Sequence, residues 1–387
     1  MKRKLSLLLV VMMLFTVLVA CNNETTTEDT TETPVETAEE ATTDETEEEE
    51  VVEEEPTEEV AEETDSEPVE VGPIDKIGLG NVTSTTSSAD AGDNAARAQA
   101  DVTVAAVAFD ADGRIVDVKI DVAQTRINFN EDNTDGVIDD ETDFRTKIEK
   151  GPDYNMKGAS GIDKEYDEQM TGFQDYLIGM TAEEVTNIPT KEADENHQNV
   201  PDVAELASVT TIDIAKYQQA VQEAWDNAID AQGATKLGLG INTDAANTPA
   251  GDKPARIQIN TYMNALGLDD SDVIVANYID VVQAKIDVNE DGTIVEKVED
   301  VQSKKELKDD YNMRGASAIE KEWFEQMEAW EAWSVGKTVE EVQGIPVKEA
   351  NPTHQHVPDV AELESSVTIT VEGYQEVMGK ALENANK

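Results

Sequence analysis

The side chains able to do chemistry in this chain of 387 residues recur in pairs. Thr210 stands in Ala207-Ser-Val-Thr-Thr-Ile212 and Thr368 in Ser365-Ser-Val-Thr-Ile-Thr370, each just ahead of an amphipathic run. Ser160 closes the phrase DYNMKGAS, and Ser317 closes DYNMRGAS 157 positions later. Hydroxyl residues in front of a helix accept hydrogen bonds from the unpaired N–H groups of its first turn, so capping is their default role. His197 and His354 also correspond, in HQNVPDV and HQHVPDV. Without cysteine or clustered carboxylate partners they read as surface residues of a polar loop, not as metal ligands. The sequence contains no GxSxG elbow, Walker loop, GxGxxG or HExxH. Nothing in it singles out a catalytic residue.

The elements that position these residues come twice. Ile77-Gly-Leu-Gly80 answers Leu237-Gly-Leu-Gly240, IDVAQTRINFNED at 120–132 answers IDVVQAKIDVNED at 279–291, and Pro201-Asp-Val-Ala-Glu-Leu206 recurs as Pro358-Asp-Val-Ala-Glu-Leu363. Units of this length are globular copies, not turns of a solenoid. In the first copy Val102, Val104, Ala106 and Ala108 alternate, Asp110-Ala-Asp-Gly113 supplies turn chemistry, and Val116, Val118, Ile120 and Val122 alternate again, which predicts an antiparallel hairpin. EDNTDG at 131–136 lacks the ligand spacing of a calcium loop and reads as another hairpin tip. Helical stripes follow. Ile162, Tyr166, Met170, Phe173 and Leu177 share a face, as do Ile319, Trp323, Met327 and Trp330. The last helix of each copy shows Tyr217, Val221, Ala224 and Ala228, matched by Tyr374, Met378, Ala381 and Ala385.

Composition sets the surroundings. A formal charge of −56 repels a phosphate backbone, which argues against a nucleic-acid partner. The single cysteine, Cys21, cannot form an internal disulfide or a thiolate metal cluster. It ends a segment with a basic start, Met1-Lys-Arg-Lys4, an apolar run from Leu7 to Val19, and Leu18-Val-Ala-Cys21. This resembles a bacterial lipoprotein signal covering 1–20, which implies cleavage before Cys21 and acylation there. From Asn22 to Gly72 there is neither an aromatic nor a basic residue, so 21–75 is expected to be a disordered, self-repelling acidic spacer.

A strand hairpin with a Gly turn, a loop, and a hydroxyl-rich segment opening a final helix resemble the FMN-binding domain family found in NADH:quinone oxidoreductase and Rnf electron-transport subunits. The lipoprotein signal, the spacer, the tandem copies, and the phrases DYNMRGASAIEKEWFEQ and VGKTVEEV resemble more closely the PplA-like extracellular electron-transfer flavoprotein lipoproteins of Gram-positive bacteria. The resemblance covers about residues 76–387. It implies an α+β fold of small antiparallel sheets with helices, in FMN-binding domains at 76–232 and 233–387. It also implies FMN joined through its phosphate, by a separate flavin transferase, to a Thr or Ser of a (S/T)GA(T/S)x(S/T) motif. That pattern falls on Ser365–Thr370 and, less closely, on Ala207–Ile212, placing Thr368 and Thr210 at the flavin-bearing position. Ser208 and Ser366 stand where the motif has Gly, and Val209 and Val367 where it has Ala. Gly158-Ala-Ser160 and Gly315-Ala-Ser317 reproduce the tripeptide literally, so Ser160 and Ser317 either carry the flavin or line its pocket with Met156 and Met313.

A phosphodiester at either place would gain from unpaired N–H groups and the positive end of a helix. The resemblance further implies an electron carrier, not a conventional catalyst, held by lipid on the outer face of the cell membrane. It would pass electrons from a membrane NADH dehydrogenase and quinone to extracellular acceptors such as ferric iron. The alternative is a lipid-anchored ligand-binding or adhesive module without a cofactor.

Overall fold

In the first copy the chain runs through β1 (Lys76–Ser84), β2 (Arg97–Phe109), β3 (Ile115–Asn128), α1 (Lys147–Lys150), α2 (Tyr166–Leu177), α3 (Ala182–Thr186), β4 (Thr190–Lys191), β5 (Val200–Pro201), α4 (Ala215–Asp226) and β6 (Ile229–Asp230). The second repeats this as β7 (Lys236–Thr248), β8 (Ala255–Leu268), β9 (Ile274–Val288), α5 (Lys304–Leu307), α6 (Trp323–Ser334), α7 (Val339–Gln343), β10 (Val347–Lys348), β11 (Val357–Pro358) and α8 (Glu372–Ala385). The computed structural model describes residues 69–387 except Asn196 and Thr353; the signal segment, Cys21 and the spacer up to residue 68 lie outside the described residues. The fold is α+β, with antiparallel sheets ordered β3-β2-β1-β6 and β7-β8-β9 and two short ribbons, β4-β5 and β10-β11.

The side chains of β2 dictate the layering. Val102, Val104, Ala106 and Ala108 point one way and Ala105, Val107 and Phe109 the other, and all are fully buried. A strand that is apolar on both faces requires a cover on each. On one side α2 and α4 supply Phe173, Tyr217 and Val221. On the other, the second copy's sheet supplies Leu239, Met263 and Ala265. The order is helices, sheet, sheet, helices, with Trp323, Trp330 and Met378 closing the far side. A second inter-sheet cluster joins Ala98 and Ile127 to Ile257 and Ile286. The two copies thus lie in one compact unit among the described residues, and packing crosses the repeat boundary. It also begins before residue 76, because Ile74 from the end of the stretch assigned to the spacer is buried between the sheets.

The hairpin turns after β2 and β8 are built alike. Asp110 Oδ1 accepts from Asp112 N and Arg114 N, and Asp269 Oδ1 from Ser271 N and Val273 N. Gly113 takes φ +78° in the first turn and Asp272 φ +61° in the second. The expected alternation of β3 is corrected at one position. A bulge beside Ala108/Phe109 turns Val116 toward the inter-sheet layer, whereas Val118, Ile120 and Val122 face the helices.

The repeated Gly-Leu-Gly phrases mark where a strand touches a helix backbone. A Cβ on Gly80 would stand 2.0 Å from Ala220 O, and one on Gly240 2.0 Å from Val377 O. The repeated IDV phrases fasten the short helices. Buried Asp121 accepts from Ile148 N through Oδ1, and Asp280 accepts from Lys305 N and Ser303 Oγ. Burial pushes Asp121 up to about 6. Across the copies, Lys380 of α8 pairs with Glu149 of α1 at 2.8 Å, whereas the matching contact sets Glu223 of α4 near Glu306 and Asp300. Burial and that like charge push Glu223 up to about 7, opposed by hydrogen bonds from Asn81 N and Gln219 Nε2.

Gly80→Ala should cost about 1–3 kcal/mol of stability, read by chemical denaturation, since the backbone contact leaves no room for a methyl group. Glu223 binds its proton more tightly in the folded chain than its ordinary value of 4.5 allows, so its contribution is full at low pH and lost as pH rises toward 7. Glu223→Gln should flatten the fall in stability between pH 4.5 and 7, and an unchanged slope would remove Glu223 as its source.

Candidate functional site

The phrase kept twice folds into a turn that aims its serine at a helix. After the 3-10 turn Gly151–Tyr154, Asn155 takes the left-handed conformation at φ +58°, and Asn312 does the same at +60°. Asparagine tolerates that region better than most residues. Met156 N and Met313 N then donate to Glu165 and Glu322, which also cap α2 and α6. The chain turns back so that Ala159 N and Ser160 N both reach Met156 O.

Ser160 and Thr211, 51 residues apart in sequence, meet on one side chain. Gln169 is fully buried on α2. Its Nε2 donates to Ser160 Oγ at 3.2 Å and to Lys164 O at 3.1 Å; its Oε1 accepts from Thr211 N at 2.9 Å and Thr211 Oγ1 at 3.3 Å. Gln326 repeats this in the second copy. Its Nε2 donates to Ser317 Oγ at 3.2 Å, and its Oε1 accepts from Thr368 N at 2.8 Å and Thr368 Oγ1 at 3.2 Å. Of the residues singled out in the sequence, Ser160, Ser317 and Thr368 therefore belong to one site per copy and Thr210 does not, the bridge being a glutamine that sequence reasoning missed. The available signal was Glu-Gln-Met at 168–170 and 325–327, where a polar residue repeats beside an apolar stripe.

The bridge also resets the register of the threonines. Thr211, not Thr210, is the counterpart of Thr368, which keeps the spacing of 157 seen in the phrases on either side. Thr210 is 3% exposed and its Oγ1 accepts from Ile212 N. None of these hydroxyls caps the final helices, whose N-cap residues are Ile214 and Val371 without side-chain caps; Asp213 Oδ1 takes the Ala215 N–H instead. The threonines stand about a turn ahead of the helix. Ser160 is the residue on which donors converge, since Ile162 N at 3.3 Å and Lys164 N at 3.4 Å also point at its Oγ. Ile319 N approaches Ser317 Oγ in the same way at 3.4 Å.

A cleft opens from this cluster. In the first copy two adjoining hollows of about 740 and 700 Å³ share Gln124, Tyr154, Met156 and His197 in their walls, and the second also contains Ser160 and Thr211. The second copy has a hollow of about 270 Å³ walled by Met313, Ser317, His354 and Thr368. Each copy also holds a lysine among aromatic rings, and in the first copy it lines the inner hollow. Lys147 Nζ is 5.1 Å from the Tyr154 ring and 5.0 Å from that of Tyr166, whose hydroxyl is 3.3 Å from Tyr217. Lys304 Nζ stands 5.0 Å from Tyr311 and 5.1 Å from Trp323, which donates to Tyr374. Burial pulls the Lys304 amine down to about 8. His197 lies at the mouth with Nδ1 2.8 Å from Asp194, and His354 with Nδ1 3.1 Å from Asn351. Among the described residues no cluster of three His, Cys, Asp or Glu side chains could hold a metal ion.

No family model, curated protein or solved structure matches the chain.

Gln169→Leu should cost about 1–3 kcal/mol, because it leaves the Thr211 N–H and the Lys164 carbonyl without partners in a buried site. Chemical denaturation reads the loss, and faster exchange of the Thr211 amide assigns it to the bridge.

Proposed function

We propose that this protein is a lipid-anchored extracellular flavoprotein in which each copy carries one covalent FMN and relays electrons, as in the FMN-binding domain family it resembles. What supports this reading is the doubled site. In each copy a serine of a Gly-Ala-Ser turn and a threonine share one buried glutamine at the entrance of a cleft, and in the first copy that cleft has aromatic rings at its base. A phosphoester requires a hydroxyl that an attaching enzyme can reach and donors to receive the phosphate oxygens. Ser160 and Ser317 meet both needs better than the threonines. They are half-buried, their neighbours Gly158 and Gly315 face open space, and N–H groups converge on their oxygens. Thr210 is closed in, and Thr211 and Thr368 already give their protons to glutamine. We therefore assign the attachment to Ser160 and Ser317 and give Thr211 and Thr368 the role of holding the bridge.

The isoalloxazine would supply the redox chemistry, and the chain supplies position, partial shielding from water and nearby charge. A covalent bond also keeps the cofactor at a surface from which a dissociable one would be diluted away. Acylated Cys21 would hold the arm to the membrane, electrons would enter from a membrane NADH dehydrogenase through a quinone, and ferric iron or similar acceptors would take them outside.

The test is the full chain made together with its flavin transferase. Intact mass should rise by two FMN phosphoester units; Ser160→Ala and Ser317→Ala should each remove one unit, whereas Thr211→Ala and Thr368→Ala should leave both. An unmodified, colourless protein under these conditions would overturn the reading, and loss confined to the threonine variants would move the attachment to them.

A further inference from the structure

Around the cleft the copies differ at several positions, Asp101 against Asn260, Tyr166 against Trp323 and Asn199 against His356 among them, and the largest change in bulk falls on one facing pair. Thr103 of β2 and Tyr262 of β8 hold the same register position, paired with Val122 and Val281. On the helix opposite, Lys216 precedes Tyr217 in the first copy and Gly373 precedes Tyr374 in the second. The Tyr262 ring lies 5.8 Å from the Tyr374 ring, and a Cβ on Gly373 would meet it at 2.8 Å. Glycine is therefore what allows Tyr262 to lie across that cleft. Small facing long in one copy has become large facing nothing in the other.

The hollows differ accordingly. In the first copy the 740 Å³ hollow reaches inward past Met156 to Thr103, Val122 and Tyr217. In the second the hollow of 270 Å³ corresponds to the outer hollow of the first, with Met313, Ser317, His354 and Thr368 answering Met156, Ser160, His197 and Thr211, and the inner position that Thr103 leaves open is filled by the Tyr262 ring against Tyr374. The open interior is both flat-walled and polar-edged. Tyr154, Tyr166 and Tyr217 contribute ring surface, while Asp101 offers a carboxylate and Lys147 an ammonium group. Asp101 is further fixed by the Gln124 amide at 2.9 Å. Such walls suit a planar ring whose edge alternates carbonyl oxygens and N–H groups, and a purely aliphatic ligand would leave those polar groups unanswered.

We propose that the inner cleft of the first copy encloses a planar ring of the isoalloxazine class and that Tyr262 excludes such a ring from the interior of the second. This rests on the flavin reading for the identity of the ring but not for the cleft. With that reading, the flavin on Ser160 is sheltered and the flavin on Ser317 faces solvent, so the two halves differ in exposure and the second is the outlet.

The experiment uses the full chain made without the attaching enzyme, titrated with lumiflavin, which has no phosphate and cannot be esterified. Fluorescence quenching should report one site per chain. Thr103→Tyr combined with Lys216→Gly, which copies the second half, should weaken binding at least tenfold, and Tyr262→Thr should create a second site. Thermal unfolding checks that each variant is folded, and Tyr262→Thr, which only removes bulk, carries the test if the double variant is not. No binding to the unaltered chain, two equal sites in it, or indifference of a folded variant to these exchanges would overturn the proposal. Two covalent FMN units by mass with lumiflavin indifferent to Thr103 would sink this inference alone; one lumiflavin site without any covalent FMN would sink the attachment alone.

Discussion

Burial of both faces of the central strands is the constraint on which everything else rests. A sheet of three long strands with one helical layer satisfies only half of its apolar surface, and the remaining face of β2 and β3 would be an open patch of Val, Ala and Ile side chains. A second copy of the same sheet removes that patch. At roughly 25 cal/mol per Å² of apolar surface withdrawn from water, an inter-sheet layer outweighs any single polar contact in the molecule. Duplication is in this sense a folding requirement before it is a doubling of function. The surface that holds the copies together lies on the side of each sheet opposite its helices, so both helical faces stay free to carry a site.

Those helical faces are made from short pieces, and the site depends on how they are pinned. Four-residue helices have little stability of their own. Here α1 and α5 are held by capping boxes, Thr146 with Glu149 and Ser303 with Glu306, and by the buried carboxylates of Asp121 and Asp280. They in turn hold Lys147 and Lys304 among the aromatic rings. Gln169 and Gln326 then tie the returning loops to α2 and α6. Without the glutamine, Ser160 and Thr211 would sit on separate loops with no fixed distance between them.

Much of this could be read along the sequence, and the failures have physical causes. The hairpins, the helical stripes and the tandem repeat follow from periods of two and 3.6 and from literal repetition, except that Ile162 and Ile319 lie in the turns ahead of α2 and α6 and Ala228 lies past the end of α4. Val116 was misplaced because a bulge adds one residue to a strand and the alternation cannot show where. The Thr210–Thr368 pairing followed the shared letters Ser-Val-Thr, whereas the backbone keeps the spacing of the flanking phrases and brings Thr211 to the glutamine. Gln169 and Gln326 left only the repeated Glu-Gln-Met as a trace, because a lone amide beside an apolar stripe carries no chemistry until its partners are known. The shared inter-sheet layer was signalled by Ala105, Val107 and Phe109 filling the gaps between Val104, Ala106 and Ala108. A strand with one wet face would have polar residues there.

Charge decides how a phosphate can be held at this surface. A chain with a formal charge of −56 is a poor place to bind a phosphate by affinity. The cleft beside Ser160 does contain Arg126 and Lys150, but it also contains Asp143 and Asp153, and Lys150 is already 3.6 Å from Asp143. Lys150 is thus answered by a carboxylate and Arg126 is held by the amide oxygens of Gln99 and Gln124, so an incoming phosphate meets one guanidinium beside two carboxylates and finds little net attraction. An ester to a serine oxygen bypasses that deficit. Neighbouring N–H groups then have only to orient the linked phosphate, which is a smaller demand than capturing it from solution. The excess of carboxylates over cations and the convergence of donors on one hydroxyl thus favour the same solution, in which attachment replaces affinity.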